Sequence, residues 1–270
     1  EYTNTKIMPN LLIAIFAGGV HSSLNYGSIQ NIMISVNKKP FSEALKIVLE
    51  VYTYIESELK KKNVLKGYSS SSGMIVENMA NTEKFEMLTN TIKKLNYNNE
   101  VTIGIDVAAE HFYKNEKYNY EGDNLSSNQM NKIIQEYINK YNITYIEDPF
   151  DSDDINAWIK LKKDNPNKII VGDDLTATQE KYINSNLANG IVIKLNQVGT
   201  LTDTINAIKK ARTEKIKICV SHRSIETEDT FMCDLAVALD ADYIKIGGPR
   251  RGDRIAKYNR LLRLEEILYN

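Results

Sequence analysis

A chain of 270 residues with 42% hydrophobic and 26% charged side chains is too apolar for disorder and long enough for one large α/β barrel or two small domains. Its charge nearly balances, 34 lysines and arginines against 35 aspartates and glutamates, so no bulk field draws it to nucleic acid or to an anionic membrane. The longest apolar run, Leu11 to Val20, is broken by Gly18 and Gly19 and falls far short of the roughly 20 residues that cross a bilayer.

The first strand is expected over Leu11 to Phe16. It leads into a polar loop, Gly18-Gly19-Val20-His21-Ser22-Ser23, and a second strand, Ile29 to Val36, follows with no helix between. Pro40 introduces a long helix whose apolar stripe is Phe41, Leu45, Val48, Tyr52, Ile55 and Leu59, the three- and four-residue steps of a buried face. Its Lys60-Lys61-Lys62 end complements the helix dipole. Lys66 to Gly73 reads as a small-residue loop without local structure, and a second helix is expected from Thr82 to Leu95.

From Val101 onward short β-branched runs alternate with helical patterns. The expected helices are Ser127 to Tyr141, Ile155 to Lys163, Gln179 to Asn186, Leu201 to Thr213, Glu226 to Leu239 and Asp253 to Leu268. In order this is ββαα(βα)6. Eight strands in a chain near the roughly 250 residues usual for the fold make an α/β, TIM-type barrel the expected architecture. No linker divides the chain, so residues 1–270 read as one domain. It opens at Glu1 with neither an initiator methionine nor a basic leader, which reads as a processed or excised piece of something longer. The two cysteines, Cys219 and Cys233, lack metal-ligand spacing and read as small buried hydrophobes, consistent with a reducing, cytoplasmic compartment.

Six of the strands end in a reactive polar residue. Val101 to Ile105 ends at Asp106, Ile143 to Ile146 at Glu147, Ile169 to Gly172 at Asp173, Ile191 to Ile193 at Lys194, Ile216 to Ser221 at His222, and Tyr243-Ile244 at Lys245. A βα barrel gathers its strand C-termini on one face, where such proteins keep their chemistry. Three carboxylates on successive strands, spaced about 4.8 Å apart, repel one another unless a hard cation intervenes, and oxygen-only ligands suit Mg²⁺. Each acid taken alone reads equally well as a helix cap or a salt-bridge partner; three in succession favour the metal. Lys194, flanked by Ile193 and Leu195, is expected to be buried beside that site as a base, with a structural ion pair to a metal-binding acid as the competing reading. Arg223 and Ser224 suit a phosphate group, and His222 and Lys245 further substrate contacts. Together they describe a site for a small phosphorylated carboxylate, with proton abstraction next to the carboxylate as the implied step.

The stretches Gly104-Ile-Asp-Val-Ala-Ala109, Ile146-Glu-Asp-Pro-Phe150, Val171-Gly-Asp-Asp-Leu-Thr176, Ile193-Lys-Leu-Asn-Gln197, Ser221 to Phe231, and Ile244-Lys-Ile-Gly-Gly-Pro249 with Arg254 to Asn259 resemble the catalytic barrel of the enolases, the phosphopyruvate hydratases of glycolysis. They cover nearly all of residues 100–270. The resemblance implies a lyase that interconverts 2-phosphoglycerate and phosphoenolpyruvate and depends on Mg²⁺. It implies Asp106, Glu147 and Asp173 as metal ligands and Lys194 as the base. Arg223 and Ser224 match the phosphate contacts, His222 and Lys245 further substrate contacts, and His21 the histidine of an active-site loop. A homodimer is also implied.

The first hundred residues depart from that pattern at the chemistry. The family's acid loop, Gly-Asp-Glu-Gly-Gly-Phe, is matched by Gly67-Tyr68-Ser69-Ser70-Ser71-Ser72, and Gln-Glu-Phe-Met-Ile by Gln30-Asn31-Ile32-Met33-Ile34. Ser69 and Asn31 therefore stand where the family has glutamates near the leaving hydroxide. Tyr68, Glu77 and His21 are the remaining candidate proton donors. The family's smaller N-terminal cap domain has no counterpart in the 270 residues. A missing acid costs about 10² to 10⁴ in rate, so the expectation is Mg²⁺ binding with impaired turnover, the alternative being a noncatalytic enolase-like binding or structural protein.

Overall fold

The computed structural model describes residues 8–19, 28–37 and 39–269; His21 and its loop lie outside these. β1 spans Asn10–Ala17 and β2 Asn31–Val36, followed by α1, Phe41–Lys61. Strands β3, Leu65–Tyr68, and β4, Met74–Val76, precede α2, Asn81–Lys94. β5 is Val101–Asp106, and the short strands β6, Tyr113–Lys114, β7, Lys117–Tyr120, and β8, Asp123–Leu125, form a small antiparallel sheet of their own. Then come α3, Ser127–Lys140; β9, Ile143–Glu147; α4, Ile155–Asp164; β10, Ile169–Gly172; and β11, Gly190–Ile193. The chain ends with α5, Leu195–Val198; α6, Leu201–Thr213; β12, Lys217–Ser221; α7, Phe231–Ala238; β13, Tyr243–Lys245; and α8, Gly252–Tyr269.

The eight expected strands succeed one another in the main sheet as β1, β2, β5, β9, β10, β11, β12 and β13, and β13 pairs back on β1 in parallel. This is the α/β barrel of the TIM type. Its strands are buried almost end to end, all six residues of β2 and all four of β11, because a barrel strand has both faces covered and can carry Ile and Val at every position.

Contacts group the chain into two compact units, residues 1–17, 33–102 and 219–270 in the first, and 18–32 and 103–218 in the second. In the first unit the start of β1 pairs with β13, Asn10 opposite Tyr243 and Leu12 opposite Lys245, and its end pairs with β4, Phe16 opposite Met74. The stripe read from α1 is buried except at Leu45, which is half-exposed. Pro40 cannot cap α1 with a side chain, and Glu265 of α8 does so instead. Its carboxylate accepts from the amides of Phe41 and, at 2.9 Å, of Ser42, an anion at the positive end of the helix.

In the second unit β5, β9 and β10 lie side by side, Asp106 opposite Glu147 and Glu147 opposite Val171. Trp158 of α4 is fully buried, its indole N–H donating to the Asp151 carbonyl at 3.0 Å. Phe150 packs edge-on against it, the ring centroids 6.4 Å apart.

Three segments differ from expectation. The helix expected over 179–186 is a single 3₁₀ turn, Glu180–Tyr182. Asn184 turns its side-chain oxygen to the amide of Asn186 at 2.9 Å, and Glu214 takes the Ser185 amide at 2.7 Å, so both amides are bonded outside any helix. The helix expected from Glu226 starts only at Phe231, because residues 226–230 belong to a bound loop described below. The serine run is not structureless: it turns the β3–β4 hairpin.

Candidate active site

Asp106 and Glu147 are the last residues of β5 and β9, and Asp173 and Lys194 immediately follow β10 and β11. Past two of these ends the backbone pairing continues for one more residue, the Val107 amide donating to the Glu147 carbonyl at 2.9 Å and the Asp148 amide to the Val171 carbonyl at 3.0 Å. One oxygen of Asp106, Oδ2, accepts from both Asn31 Nδ2 at 3.1 Å and Gln30 Nε2 at 3.2 Å. Glu147 Oε2 accepts from the Tyr145 hydroxyl at 2.9 Å, two residues back on the same face of the strand. Lys194 Nζ donates to Asp173 Oδ2, and both side chains are largely buried. The other oxygen, Asp173 Oδ1, is buried and accepts no hydrogen bond among the described residues.

Sequence reasoning missed Asp148. It sits at φ 41°, left-handed backbone that a non-glycine residue adopts only when its surroundings hold it there. The twist aims its carboxylate across to the next strand end, where Oδ1 accepts the Asp173 amide and Oδ2 the Asp174 amide, each at 2.9 Å. Asp148 is thus the strut that fixes the turn carrying Asp173. Carboxyl oxygens of Asp148, Asp173 and Asp174 lie within 4.8 Å of one another. Burial, then the neighbouring carboxylates of Asp173, Asp174 and Glu147, push the Asp148 carboxyl well above the usual range, and burial with Asp173 pushes Asp174 up as well. The three carboxylates, with an unbonded buried oxygen on Asp173, form a cluster that could hold a metal ion, and their all-oxygen donors are of the hard type.

Thr178 was also unforeseen. Ala177 and Thr178 are both left-handed, with φ 44° and 58°, and the fold-back presents the Thr178 hydroxyl to the Lys194 amide at 3.0 Å while it donates to Gln197 Oε1 at 2.6 Å. The backbone at Lys194 is anchored by this bridge.

The first unit carries the other expected residues. His222, Arg223 and Ser224 follow β12, and Lys245 ends β13; the His222 amide donates to the Lys245 carbonyl at 2.9 Å. His222 and Lys245 are buried, whereas Arg223 and Ser224 are exposed. Gly247, two residues past Lys245, has φ 78°, and a Cβ there would come within 2.5 Å of the Ser71 carbonyl, so only glycine lets the serine turn approach this strand end.

Ser69 is a turn residue. Its hydroxyl lies 2.9 Å from that of Ser71 and accepts the Gly73 amide at 3.2 Å, while its own amide donates to the Gly73 carbonyl at 2.9 Å. Two of the alternative donors are committed too: Tyr68 donates to Glu56 and its phenol is pushed up to about 12, first by burial and then by that carboxylate, and Glu77 pairs with Lys66 at 2.7 Å. Cys219 and Cys233 are both buried and outside any disulfide, as expected. Among the described residues no helix is long and apolar enough to cross a membrane.

An eight-stranded α/β barrel whose strand ends carry carboxylates and lysines places this chain among the TIM-type barrel proteins. The family model described as "Enolase, C-terminal TIM barrel domain" matches residues 5–270, and the chain belongs to that family. The enolase of Ehrlichia chaffeensis is 36% identical over 270 residues, covering 97% of this chain and 64% of its own length. The enolase of Campylobacter jejuni is 38% identical over 267 residues with the same coverage. The chain spans just under two thirds of the curated relatives it matches.

Proposed function

We propose that the chain is an Mg²⁺-dependent enolase-type barrel that binds 2-phosphoglycerate and can remove its C2 proton but lacks the acid half of the dehydration. Asp106, Glu147 and Asp173 would hold the ion, with Asp148 fixing the Asp173 turn. Bound Mg²⁺ supplies positive charge against the substrate carboxylate and the negative charge that builds there during proton removal. Lys194, positioned by Asp173 at its side chain and by Thr178 at its amide, would take the C2 proton as the neutral amine, becoming the ammonium, and return it in the reverse step. Arg223 offers a planar fork, and Ser224 a hydroxyl, to phosphate oxygens. His222 and Lys245 are further ligand contacts, and His21 is proposed from the family resemblance alone. The observation that carries the reading is the part-buried Lys194–Asp173 pair, with the second Asp173 oxygen buried and unbonded among the described residues.

The acid half fails for reasons that the side chains supply. Ser69 spends its hydroxyl inside the hairpin turn, and Asn31 spends its amide on Asp106, where a glutamate would instead set a like charge beside that carboxylate. These commitments also favour the second reading, a noncatalytic binding protein that keeps the ligand and loses the reaction.

Phosphoenolpyruvate formation, followed by absorbance at Mg²⁺ and 2-phosphoglycerate concentrations that saturate an ordinary enolase, tests the missing acid. The expected turnover is below about 1 s⁻¹, under the ordinary enzyme range. A faster rate would show that another group donates the proton.

A further inference from the structure

We propose that Arg254, Lys257 and Glu226 are positioning residues for the phosphate contacts, a buried clasp from α8 that fixes the loop bearing Arg223 and Ser224. The proposal rests on the reading that Arg223 and Ser224 take a phosphate group, and it concerns the first unit alone.

Residues 223–229 follow β12 as a largely exposed loop, in which Ile225 is 89% exposed, so apolar burial does little to hold it. Two cations one turn apart on α8 do the holding, both with fully buried side chains. Arg254 Nη2 donates to three carbonyls, Ser224 at 2.9 Å, Arg223 at 3.0 Å and Ser70 at 3.1 Å. The first two are the backbone of the phosphate contacts themselves. The third is the serine turn that stands where the family keeps its acid. One guanidinium nitrogen thus ties together two loops that are distant in sequence.

Lys257 closes the other end of the loop. Its Nζ donates to the Thr227 carbonyl at 2.9 Å and the Asp253 carbonyl at 3.1 Å, and it pairs with Glu226 Oε2 at 3.0 Å. Glu226 passes the constraint on, because its Oε1 accepts the Arg223 amide at 2.8 Å. Arg223 is therefore held at its amide through Glu226 and Lys257 and at its carbonyl by Arg254. With both backbone groups fixed, the side chain alone is left to meet a ligand, and less ordering is lost on binding. Charged hydrogen bonds from a buried guanidinium and ammonium are the strong kind, and removing one leaves its buried partner unpaired. Lysine at 254 keeps the charge, but its ammonium ends one bond short of the Nη2 position from which all three carbonyls are reached.

The test uses the whole chain with Glu226→Ala, a change on a surface loop, and Arg254→Lys, which keeps the charge. Three quantities are measured: calorimetric affinity for 2-phosphoglycerate and for inorganic phosphate with Mg²⁺ present, affinity for Mg²⁺ alone, and the rate of tryptic cleavage after Arg223, read by mass. Each variant is expected to bind both phosphates about tenfold more weakly, the equivalent of one charged hydrogen bond, and to be nicked about tenfold faster, with Mg²⁺ affinity unchanged. Variants that match the parent in nicking, whether or not affinity falls, would overturn the clasp. A parent chain that binds neither phosphate would remove the phosphate reading, and the nicking rates would then decide the clasp by themselves.

Discussion

Lys194→Ala is expected to slow hydrogen–deuterium exchange at C2 of 2-phosphoglycerate by about 10² to 10⁴, the usual contribution of a positioned base. Lys194→Arg does the same, because a guanidinium stays protonated at every working pH while still pairing with Asp173. This second variant separates the two roles that the Lys194–Asp173 contact permits. If the ammonium were only a counter-charge for a metal-binding acid, arginine would keep exchange near the parent rate and alanine alone would lose it. Calorimetry in Mg²⁺ gives the control. Removing the ammonium takes a competing cation from Asp173, so Mg²⁺ binding in the alanine variant stays at least as tight as in the parent. Loss of exchange together with loss of Mg²⁺ binding would mean that the variant had disrupted the site rather than removed a base.

Trp158→Ala lowers the unfolding free energy by about 3 to 5 kcal/mol, the range for deleting a fully buried large aromatic side chain. The site is poorly placed to collapse, since the indole packs against Phe150 and donates to the Asp151 carbonyl, which would be left without that donor. Against a typical domain stability of about 5 to 15 kcal/mol this is a large fraction. The effect reaches the candidate site because Phe150 and Asp151 continue directly from Glu147 and Asp148, so the indole anchors the segment that carries both carboxylates. Urea denaturation followed by far-UV circular dichroism measures it. A loss under about 1 kcal/mol would show that the pocket refills and that the anchor is dispensable. Trp158→Phe keeps most of the ring volume and is expected to fall between the parent and the alanine variant.

The barrel was legible because its strands are short β-branched runs at regular spacing, and each reactive residue sits where a run stops. Asp106, Glu147, Asp173, Lys194, His222 and Lys245 were visible for that reason alone, although their roles remain proposals. Asp148 was not, because beside Glu147 it reads as a second acid of the same kind. Only its left-handed backbone shows that it faces the amides of Asp173 and Asp174. Thr178 was hidden likewise by the backbone reversal at Ala177. The expected helix at 179–186 failed where Asn184 and Glu214 bind amides that a helix would have used, one by a local contact and one by a contact 29 residues away. Arg254 and Lys257 lie on α8, and nothing in the sequence signals their contacts; their burial depends on loops from elsewhere in the chain. The serine run shows the same limit, since four small residues carry no periodicity and its turn is set by hydrogen bonds to Gly73 and by the approach of Gly247.

One nuclear magnetic resonance experiment bears most directly on the retained base and missing acid. The chain is incubated with Mg²⁺ and 2-phosphoglycerate in D₂O, and deuterium at C2 and phosphoenolpyruvate are followed in the same tube. The account predicts C2 exchange at least about 100-fold faster than phosphoenolpyruvate formation, the smaller end of what a positioned acid contributes. Equal rates of exchange and elimination, or no exchange at all in a sample that binds both Mg²⁺ and 2-phosphoglycerate, would contradict it.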